Sequence, residues 1–356
     1  MRTFLKGNDA VVSGALYAGC RAFFGYPITP ASEIAHGAMK AFPEAGALAI
    51  QAESEVAAIN MLYGAGACGI PGMTATSGPG LSLMQEGISY MAAARLPGVI
   101  VDIMRSGPGL GNIAPEQSDY FVATHGGGHG HYHCPVFAPA SVEEMFSMTY
   151  DAFQAAFQYQ TPAFVLADAF IGQMMETLHI PDTLLDAAQA PDVRWPLPHA
   201  IRCDEITAGN IVSSLELCPP KLQAKNDIRF ACYDEMQQQL PQAEIDVQTD
   251  AQTLVIAFGI CARMARDAVQ KARQDGHRIT FFRPKTLWPF PQEALQTCAQ
   301  NAKRIIVAEC NRGMMRLDVE RMLKHSNILG CHADGGVLPD IDAFLTDCLG
   351  SDSSKI

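Results

Sequence analysis

Twice between Met73 and Asn112 a short apolar run ends in a loop of serine, glycine and proline. Met73 to Thr76 leads into Ser77-Gly78-Pro79-Gly80, and Gly98 to Met104 leads through Arg105 into Ser106-Gly107-Pro108-Gly109-Leu110-Gly111-Asn112. Apolar runs of this length read as buried strands, and glycine with proline ends them. From 41 to 110 the charged residues are Glu44, Glu53, Glu55, Glu86, Arg95, Asp102 and Arg105 alone, so this stretch must be largely buried. Strands alternating with helices at short spacing predict a parallel sheet wrapped by helices, and such sheets place ligands in the loops after their strands.

The flanking sequence extends the pattern. Asn8 and Asp9 can cap a helix to about Arg21, and Gly25-Tyr26-Pro27-Ile28-Thr29-Pro30 breaks it into a loop. Ala47 to Ile50 reads as a short buried strand ending at Gln51, with Glu53 and Glu55 in the first turn of a helix to about Tyr63. A further helix runs from Leu81 to about Ala94. Ser141-Val142-Glu143-Glu144 fits a capping box opening a helix to about Phe157, before a strand from Ala163 to Ala167. Periodicity fades from His179 to about Ile201, and the polar segment to Thr249 carries no clear element. A second βα block follows: strand Thr253 to Phe258, helix Ala262 to Gln274, strands Ile279 to Phe282 and Arg304 to Glu309, helix Met314 to Leu323. The expected division is 1–178 as the first domain, 179–249 as linker and connecting segment, 250–349 as a smaller α/β domain, and 350–356 as a polar tail.

Composition narrows the function. Charged residues are 17% of the 356, against about 25% in ordinary globular chains. A chain so poor in charge is expected to have part of its surface covered by something else. The net charge of −12 argues against nucleic-acid or anionic-membrane partners. The start, MRTFLKGNDAVV, lacks a signal-peptide core, and no apolar run approaches the roughly 20 residues of a membrane span, so a cytoplasmic location is expected. The 11 cysteines are scattered, with no C-x-x-C pair, which disfavours an iron–sulfur cluster or structural zinc on this chain.

Each candidate motif has a plainer reading beside it. Gly64 to Gly69 matches G-x-G-x-x-G, which would suit a nucleotide-dependent dehydrogenase, but a helical pattern precedes it where that site needs a strand. A close-packed helix end is the plainer reading. Neither SGPG loop has the lysine of a phosphate-binding loop. His125, His129, His131 and His133 lie on a glycine-rich stretch and suit a metal, a proton-active or substrate-facing loop, or plain solvent exposure. Glu53 and Glu55, two apart, face different ways, so at most one can address a given ligand; the other reading is two acids at a helix start. Arg105, at a strand end, is the natural counter-ion for an anionic substrate, or an ion-pair partner of Asp102 or Glu116.

Several blocks together resemble the alpha subunit of 2-oxoacid:ferredoxin oxidoreductases, with the ketoisovalerate (3-methyl-2-oxobutanoate) type nearest: Gly25 to Pro30, Gln51 to Asn60, Met73 to Glu86, Met104 to Asp119, Gly126 to Gly130, Arg283 to Pro291 and Asn311 to Val319. The resemblance implies a thiamine diphosphate-binding-type doubly wound parallel sheet, the pyrimidine domain, plus a smaller transketolase C-terminal-like domain. It implies Glu55 as the cofactor-activating acid, whose hydrogen bond to the pyrimidine nitrogen favours the imino tautomer that removes the thiazolium proton. It also implies Thr29 and Arg105 at the substrate carboxylate, and Pro27, Ile28, Ser77 and Gly78 around the cofactor. No Gly-Asp-Gly segment is present. The resemblance therefore assigns the diphosphate and Mg²⁺ to a beta subunit and iron–sulfur clusters to partner subunits, leaving no metal here. It further implies a gamma subunit, a ferredoxin-like delta subunit, ferredoxin as acceptor, coenzyme A as co-substrate, and a dimer of such heteromers. The reaction implied is oxidative decarboxylation of a 2-oxo acid, 2-oxoisovalerate or 2-oxoglutarate, to acyl-CoA and CO2. A non-catalytic scaffold of the same complex is the remaining alternative. The chain departs from the family pattern at His131, His133 and Met314.

Overall fold

The computed structural model describes residues 2–180, 212–325 and 327–350. A seven-stranded sheet is built from β2 (Ala22–Gly25), β3 (Leu48–Gln51), β4 (Gly72–Thr76), β5 (Gly98–Met104), β6 (Val136–Phe137), β7 (Pro162–Asp168) and β12 (Thr286–Trp288), in the order β12-β6-β7-β5-β4-β2-β3. The first six are parallel, and β12 comes from the later block to pair antiparallel with β6. The period of two along β5 divides its side chains between two cores. Val99, Val101 and Ile103 join α1 (Gly7–Tyr17), α2 (Ser32–Glu44) and α6 (Val142–Tyr159), while Ile100 and Met104 join α3 (Glu55–Ala67) and α4 (Gly78–Ala94). Asp102 falls on the second face, with no exposure to solvent.

A two-stranded antiparallel ribbon, β1 (Arg2–Lys6) with β8 (Met175–His179), closes the end of this layer; α7 (Ala169–Gln173) sits between β7 and β8. The second sheet comprises β9 (Ala243–Asp246), β10 (Thr253–Ala257), β11 (Ile279–Pro284), β13 (Arg304–Glu309) and β14 (Ile328–His332), in the order β14-β13-β10-β11-β9 with only β9 antiparallel. It carries α9 (Gly259–Gln274), α10 (Gln292–Ala299), α11 (Met314–Leu323) and α12 (Ile341–Gly350). Arg283 on β11, 3% exposed in its side chain, makes bonds of 2.7 and 2.6 Å to Glu144 of α6 and one of 2.9 Å to Glu244, tying the two sheets together. Asp168 at the end of β7 does the same by accepting the Ile260 N–H at 2.8 Å.

The local readings are partly corrected. Helix α1 begins at Gly7 without a side-chain cap, and Asn8 is buried inside it, donating at 2.9 Å to both the Pro30 carbonyl and Glu33. It ends at Tyr17 rather than near Arg21, because Gly19 turns the chain at φ +83°. Strand β3 is an edge strand with Leu48 half exposed, not a buried one. Glu53 lies before α3 and not in its first turn, and α4 starts at Gly78, three residues early, because a proline in the first turn forfeits no hydrogen bond there. The capping box at Ser141 forms, with Ser141 Oγ accepting the Glu144 N–H at 3.1 Å. The segment that carried no clear element contains α8 (Pro219–Gln239), which buries only Tyr233 and Met236 and so shows little amphipathic signal. Strand β14 and helix α12 were likewise not anticipated. The linker expected at 179–201 and the tail after 350 lie almost wholly outside the described residues.

Candidate active site

From β2 the chain crosses to β3 on one side, then returns to β4 on the other side of β2. This switch opens a crevice at the carboxyl ends of β2 and β4, where open α/β sheets bind ligands. Four loops meet there: Tyr26 to Ala31 after β2, Ala52 to Ser54 after β3, Ser77 after β4, and Arg105 to Asn112 after β5.

Ser54 caps α3 through its Oγ, which accepts the Ala57 N–H at 3.2 Å, and thereby places Glu55 as the first helical residue. Glu55 is 6% exposed whereas Glu53 faces water, so the two acids are separated as their spacing required. No hydrogen bond or ion pair of the Glu55 carboxyl occurs among the described residues. The carboxyl lies against Gly80 in the first turn of α4: a β-carbon at 80 would stand 2.6 Å from Glu55 Oε1 and would also collide with Thr76 Oγ1. The Thr76 and Ser77 hydroxyls are fully buried and have no partner among the described residues. A buried carboxyl and two orphan hydroxyls around one glycine turn form a polar cradle awaiting donors and acceptors.

Arg105 reaches across the crevice. Its Nη1 donates to the Thr29 carbonyl at 2.9 Å and its Nη2 to the Leu110 carbonyl at 3.1 Å, while Nε is buried without a partner. It makes no ion pair with Asp102 or Glu116 among the described residues; Glu116 instead accepts the Gly107 N–H at 2.9 Å. The guanidinium thus has no carboxylate in ion-pair contact among the described residues and lies beside the exposed Thr29, with Pro27 and Ile28 half buried in the same loop. Gly78 stands at the start of α4, on the far side of the turn from Glu55.

Three residues of this site were not singled out from the sequence. Asp102, fully buried on β5, and Asp119, beside Gly78 at the start of α4, carry carboxyl oxygens (both of Asp102 and Oδ2 of Asp119) that are buried without a hydrogen-bond partner among the described residues. Burial pushes Asp102 well above the usual carboxylate range, and the Asp119 charge adds to this. Burial also raises Asp119, to about 6; the nearby Asp102 carboxyl and the Arg105 charge hold it down, and the Glu116 charge pushes it up. Gln117 bridges the two sheets, donating to the Phe258 carbonyl at 3.0 Å and accepting the Cys310 N–H at 3.0 Å. The one sequence signal for the pair was a lone acid, Asp102, in an otherwise apolar strand.

The other motifs go elsewhere. Gly64 to Gly69 ends α3, with Gly69 at φ +72°, and lines a cavity of about 500 Å³ with Arg21 and Pro71 at the opposite end of β2 and β4. The glycine run at 126–128 packs on α4, where Gln85 Oε1 accepts the Gly127 N–H at 3.1 Å. His133 stacks on Trp288 at 4.8 Å, and His125 lies 3.2 Å from Asp318 of α11, so these two brace the second block. Among the described residues no three His, Cys, Asp or Glu side chains are grouped to hold a metal ion, and no helix is long and apolar enough to cross a membrane.

A parallel sheet with a ligand crevice at its switch point, joined to a second small α/β sheet, belongs to the class of thiamine diphosphate-dependent enzyme subunits. Residues 13–230 match the pyruvate flavodoxin/ferredoxin oxidoreductase thiamine diphosphate-binding family and 251–342 match pyruvate:ferredoxin oxidoreductase core domain II. The chain belongs to the 2-oxoacid:ferredoxin oxidoreductases and is an alpha-type subunit. It is 47% identical to the ketoisovalerate oxidoreductase subunit VorB of Methanothermobacter marburgensis, over 89% of this chain and 88% of that one. It is 36% identical to the 2-oxoglutarate synthase subunit KorA of Archaeoglobus fulgidus, over 89% and 90%. Among solved structures it resembles a 2-oxoglutarate:ferredoxin oxidoreductase from Magnetococcus marinus with 2-oxoglutarate, coenzyme A and succinyl-CoA bound, at TM-score 0.86 and 27% identity, covering 99% of this chain and 65% of that one. A split-gene transketolase, 13% identical with TM-score 0.58, shares the fold.

Proposed function

We propose that this chain supplies the pyrimidine half of a thiamine diphosphate site that oxidatively decarboxylates a branched aliphatic 2-oxo acid, 2-oxoisovalerate, to an acyl-CoA and CO2, with ferredoxin as electron acceptor. The observation that carries the reading is Glu55: a carboxyl 6% exposed, without a partner among the described residues, held against the Gly80 turn at the sheet's switch point. The aminopyrimidine of thiamine diphosphate fits this cradle, since its ring nitrogen suits the Glu55 carboxyl and its polar edge suits the orphan Thr76 and Ser77 hydroxyls. When bound, the cofactor supplies a carbon nucleophile and an electron sink for decarboxylation. Glu55 holds the pyrimidine nitrogen and fixes its tautomer; Pro27, Ile28 and Gly78 would border the ring; Arg105 and Thr29 orient the substrate carboxylate.

Substrate class follows from charge. A second carboxylate would call for another cation at the crevice, and among the described residues Lys6, Arg95 and Arg21 are spent or remote. Lys6 is paired with Glu33 at 3.2 Å, Arg95 donates to Cys232 Sγ at 3.6 Å, and Arg21 lines the cavity at the opposite end of the strands. The relative VorB, named for ketoisovalerate, agrees with a single carboxylate. We further assign the diphosphate with its Mg²⁺ to a beta subunit, because this chain has no Gly-Asp-Gly segment, and the clusters to partner subunits, gamma and delta included. The division at 178, 249 and 349 and the assembly as a dimer of heteromers belong to the same reading. The test is the assembled complex assayed with 2-oxoisovalerate, 2-oxoglutarate, pyruvate and indolepyruvate and a viologen acceptor. A preference for 2-oxoisovalerate is expected; a preference for 2-oxoglutarate would overturn the substrate assignment.

A further inference from the structure

The loop that carries Arg105 is fastened to the second block. From Arg105 the chain runs out and comes back, and its two arms pair: Arg105 bridges Pro115 antiparallel, and the Ser106 N–H donates to the Ala114 carbonyl at 2.9 Å. The returning arm is the one the second block holds. Asn112 Nδ2 donates to the Gly335 carbonyl at 3.2 Å, and Ala114 packs so near Gly336 that a β-carbon there would stand 2.3 Å from Ala114 Cβ. Gln117, with no exposed surface, makes the firmest attachment. Its backbone N–H donates to the Cys310 carbonyl at 2.8 Å, and its carbonyl accepts from Asn311 Nδ2 at 2.8 Å. Its side-chain amide spans the Phe258 carbonyl and the Cys310 N–H, and also reaches Asp168 at 3.4 Å. The amide fits only one way round, since a carbonyl needs a donor and an N–H an acceptor. Phe258 follows β10 and Cys310 follows β13. The chain leaves β10 for β11 on one side and returns to β13 on the other, so these carboxyl ends form the switch point of the second sheet. Open α/β sheets bind ligands at such a point. Here Gln117 lodges in it.

We propose that Gln117 is a positioning residue for Arg105: lodged at the switch point of the second sheet, it fixes the arm that pairs with Arg105 and so sets the guanidinium against the substrate carboxylate. The inference rests on the assignment of Arg105 to that carboxylate. A long side chain binds an anion well only when both its root and its head are held. The root of Arg105 is paired with Pro115, two residues before Gln117. Its head is oriented by the Thr29 and Leu110 carbonyls, and Leu110 belongs to the same loop. Releasing Gln117 therefore loosens the root and one of the two head contacts together. The second block, which holds Gln117, thereby governs how well the first block binds its substrate.

The test is a double-mutant cycle in the assembled complex, with 2-oxoisovalerate and a viologen acceptor. Gln117→Met keeps the length of the side chain and removes its amide. It should raise KM for the 2-oxo acid on the order of tenfold, with smaller changes in kcat and in KM for coenzyme A. In an Arg105→Met background the same change should add less than about twofold, because the group it positions is gone. General structural damage adds equally in both backgrounds. An equal rise in both, or no rise in either, would overturn the inference. Should the Gln117→Met complex not assemble, Asn112→Asp serves: it keeps the acceptor for the Ala114 N–H at 2.7 Å and removes the donor to Gly335. A rise in KM confined to the Arg105 background supports the inference, and an equal rise in both or none overturns it. Arg105→Met with an unchanged KM sinks the anion-site reading, and the inference with it. If the wild-type complex turns over no 2-oxo acid, the functional reading fails instead, and hydrogen exchange at the Ser106 and Asn112 amides decides. Faster exchange in Gln117→Met, confined to this loop, supports the attachment; unchanged exchange overturns it.

Discussion

Glu55 and Gly80 are in contact only because residue 80 has no side chain: a β-carbon there would stand 2.6 Å from Glu55 Oε1. Gly80 has an ordinary φ, so what it provides is space rather than backbone freedom. Gly80→Ala should therefore move the Glu55 carboxyl or Thr76 while leaving the fold standing. Overpacking of this kind costs about 1–3 kcal/mol. Thermal melting of the chain should register that loss, and turnover by the assembled complex should fall on the order of 10²-fold, because a misplaced catalytic group costs about that much.

Arg105→Met tests the anion site. Removing one member of a desolvated charge pair costs roughly 2–5 kcal/mol, so KM should rise on the order of 10²-fold. Arg105→Lys should recover little, since a lysine ammonium cannot span the Thr29 and Leu110 carbonyls, held at 2.9 and 3.1 Å, and still address a carboxylate. Steady-state kinetics on both variants decides it. Unchanged KM would move the substrate carboxylate elsewhere.

The sheet was legible in the sequence for a physical reason. The central strands of both sheets are buried on both faces, so Gly98 to Met104 and Arg304 to Glu309 read as continuous apolar runs and appear with those bounds. The separation of Glu53 from Glu55 followed from spacing alone. Helix α8 was illegible because only Tyr233 and Met236 are buried along 21 residues, leaving almost no periodicity to read. Asp102 and Asp119 were hidden differently: 17 positions apart, they act on one another's charge only because β5 and the loop before α5 (Tyr120–His125) converge on α4. Arg283 was seen only within a family block, and its partner Glu144 lies 139 residues away.

That ion pair makes its own prediction. Arg283→Met leaves Glu144 with Lys285 alone and Glu244 with Arg266 alone, and breaking a buried pair from one side costs about 3–5 kcal/mol. Arg283 and Lys285 hold Glu144 below the usual carboxylate range despite its burial, so the stabilisation is full above the unfolded value near 4.3 and fades as pH falls through the lower folded value. The difference in melting temperature between wild type and Arg283→Met should accordingly be constant at neutral pH and shrink at pH 3. A difference independent of pH would contradict the pairing.

His133, stacked on Trp288, should report from the other side of the same junction. Burial lowers it to about 4, helped by the His131 charge. The unfolded chain therefore binds a proton near pH 6.5 that the folded chain refuses, and stability falls from pH 6.5 down to about 4. His133→Phe keeps an aromatic ring against Trp288 and removes the titration. Its melting temperature should vary less than that of the wild type over this window, and an identical profile would show that His133 is not the group responsible.

The most direct measurement is CO2 release by the assembled complex carrying Glu55→Gln, beside the wild type, at saturating 2-oxoisovalerate. Glutamine keeps the size and burial of the side chain but cannot hold the pyrimidine nitrogen in its proton-accepting tautomer. We expect a loss on the order of 10²- to 10⁴-fold in kcat with KM little changed and the complex intact by sedimentation. A Glu55→Gln complex that releases CO2 within a few-fold of the wild-type rate would contradict the assignment of this chain as the cofactor-activating half of the site.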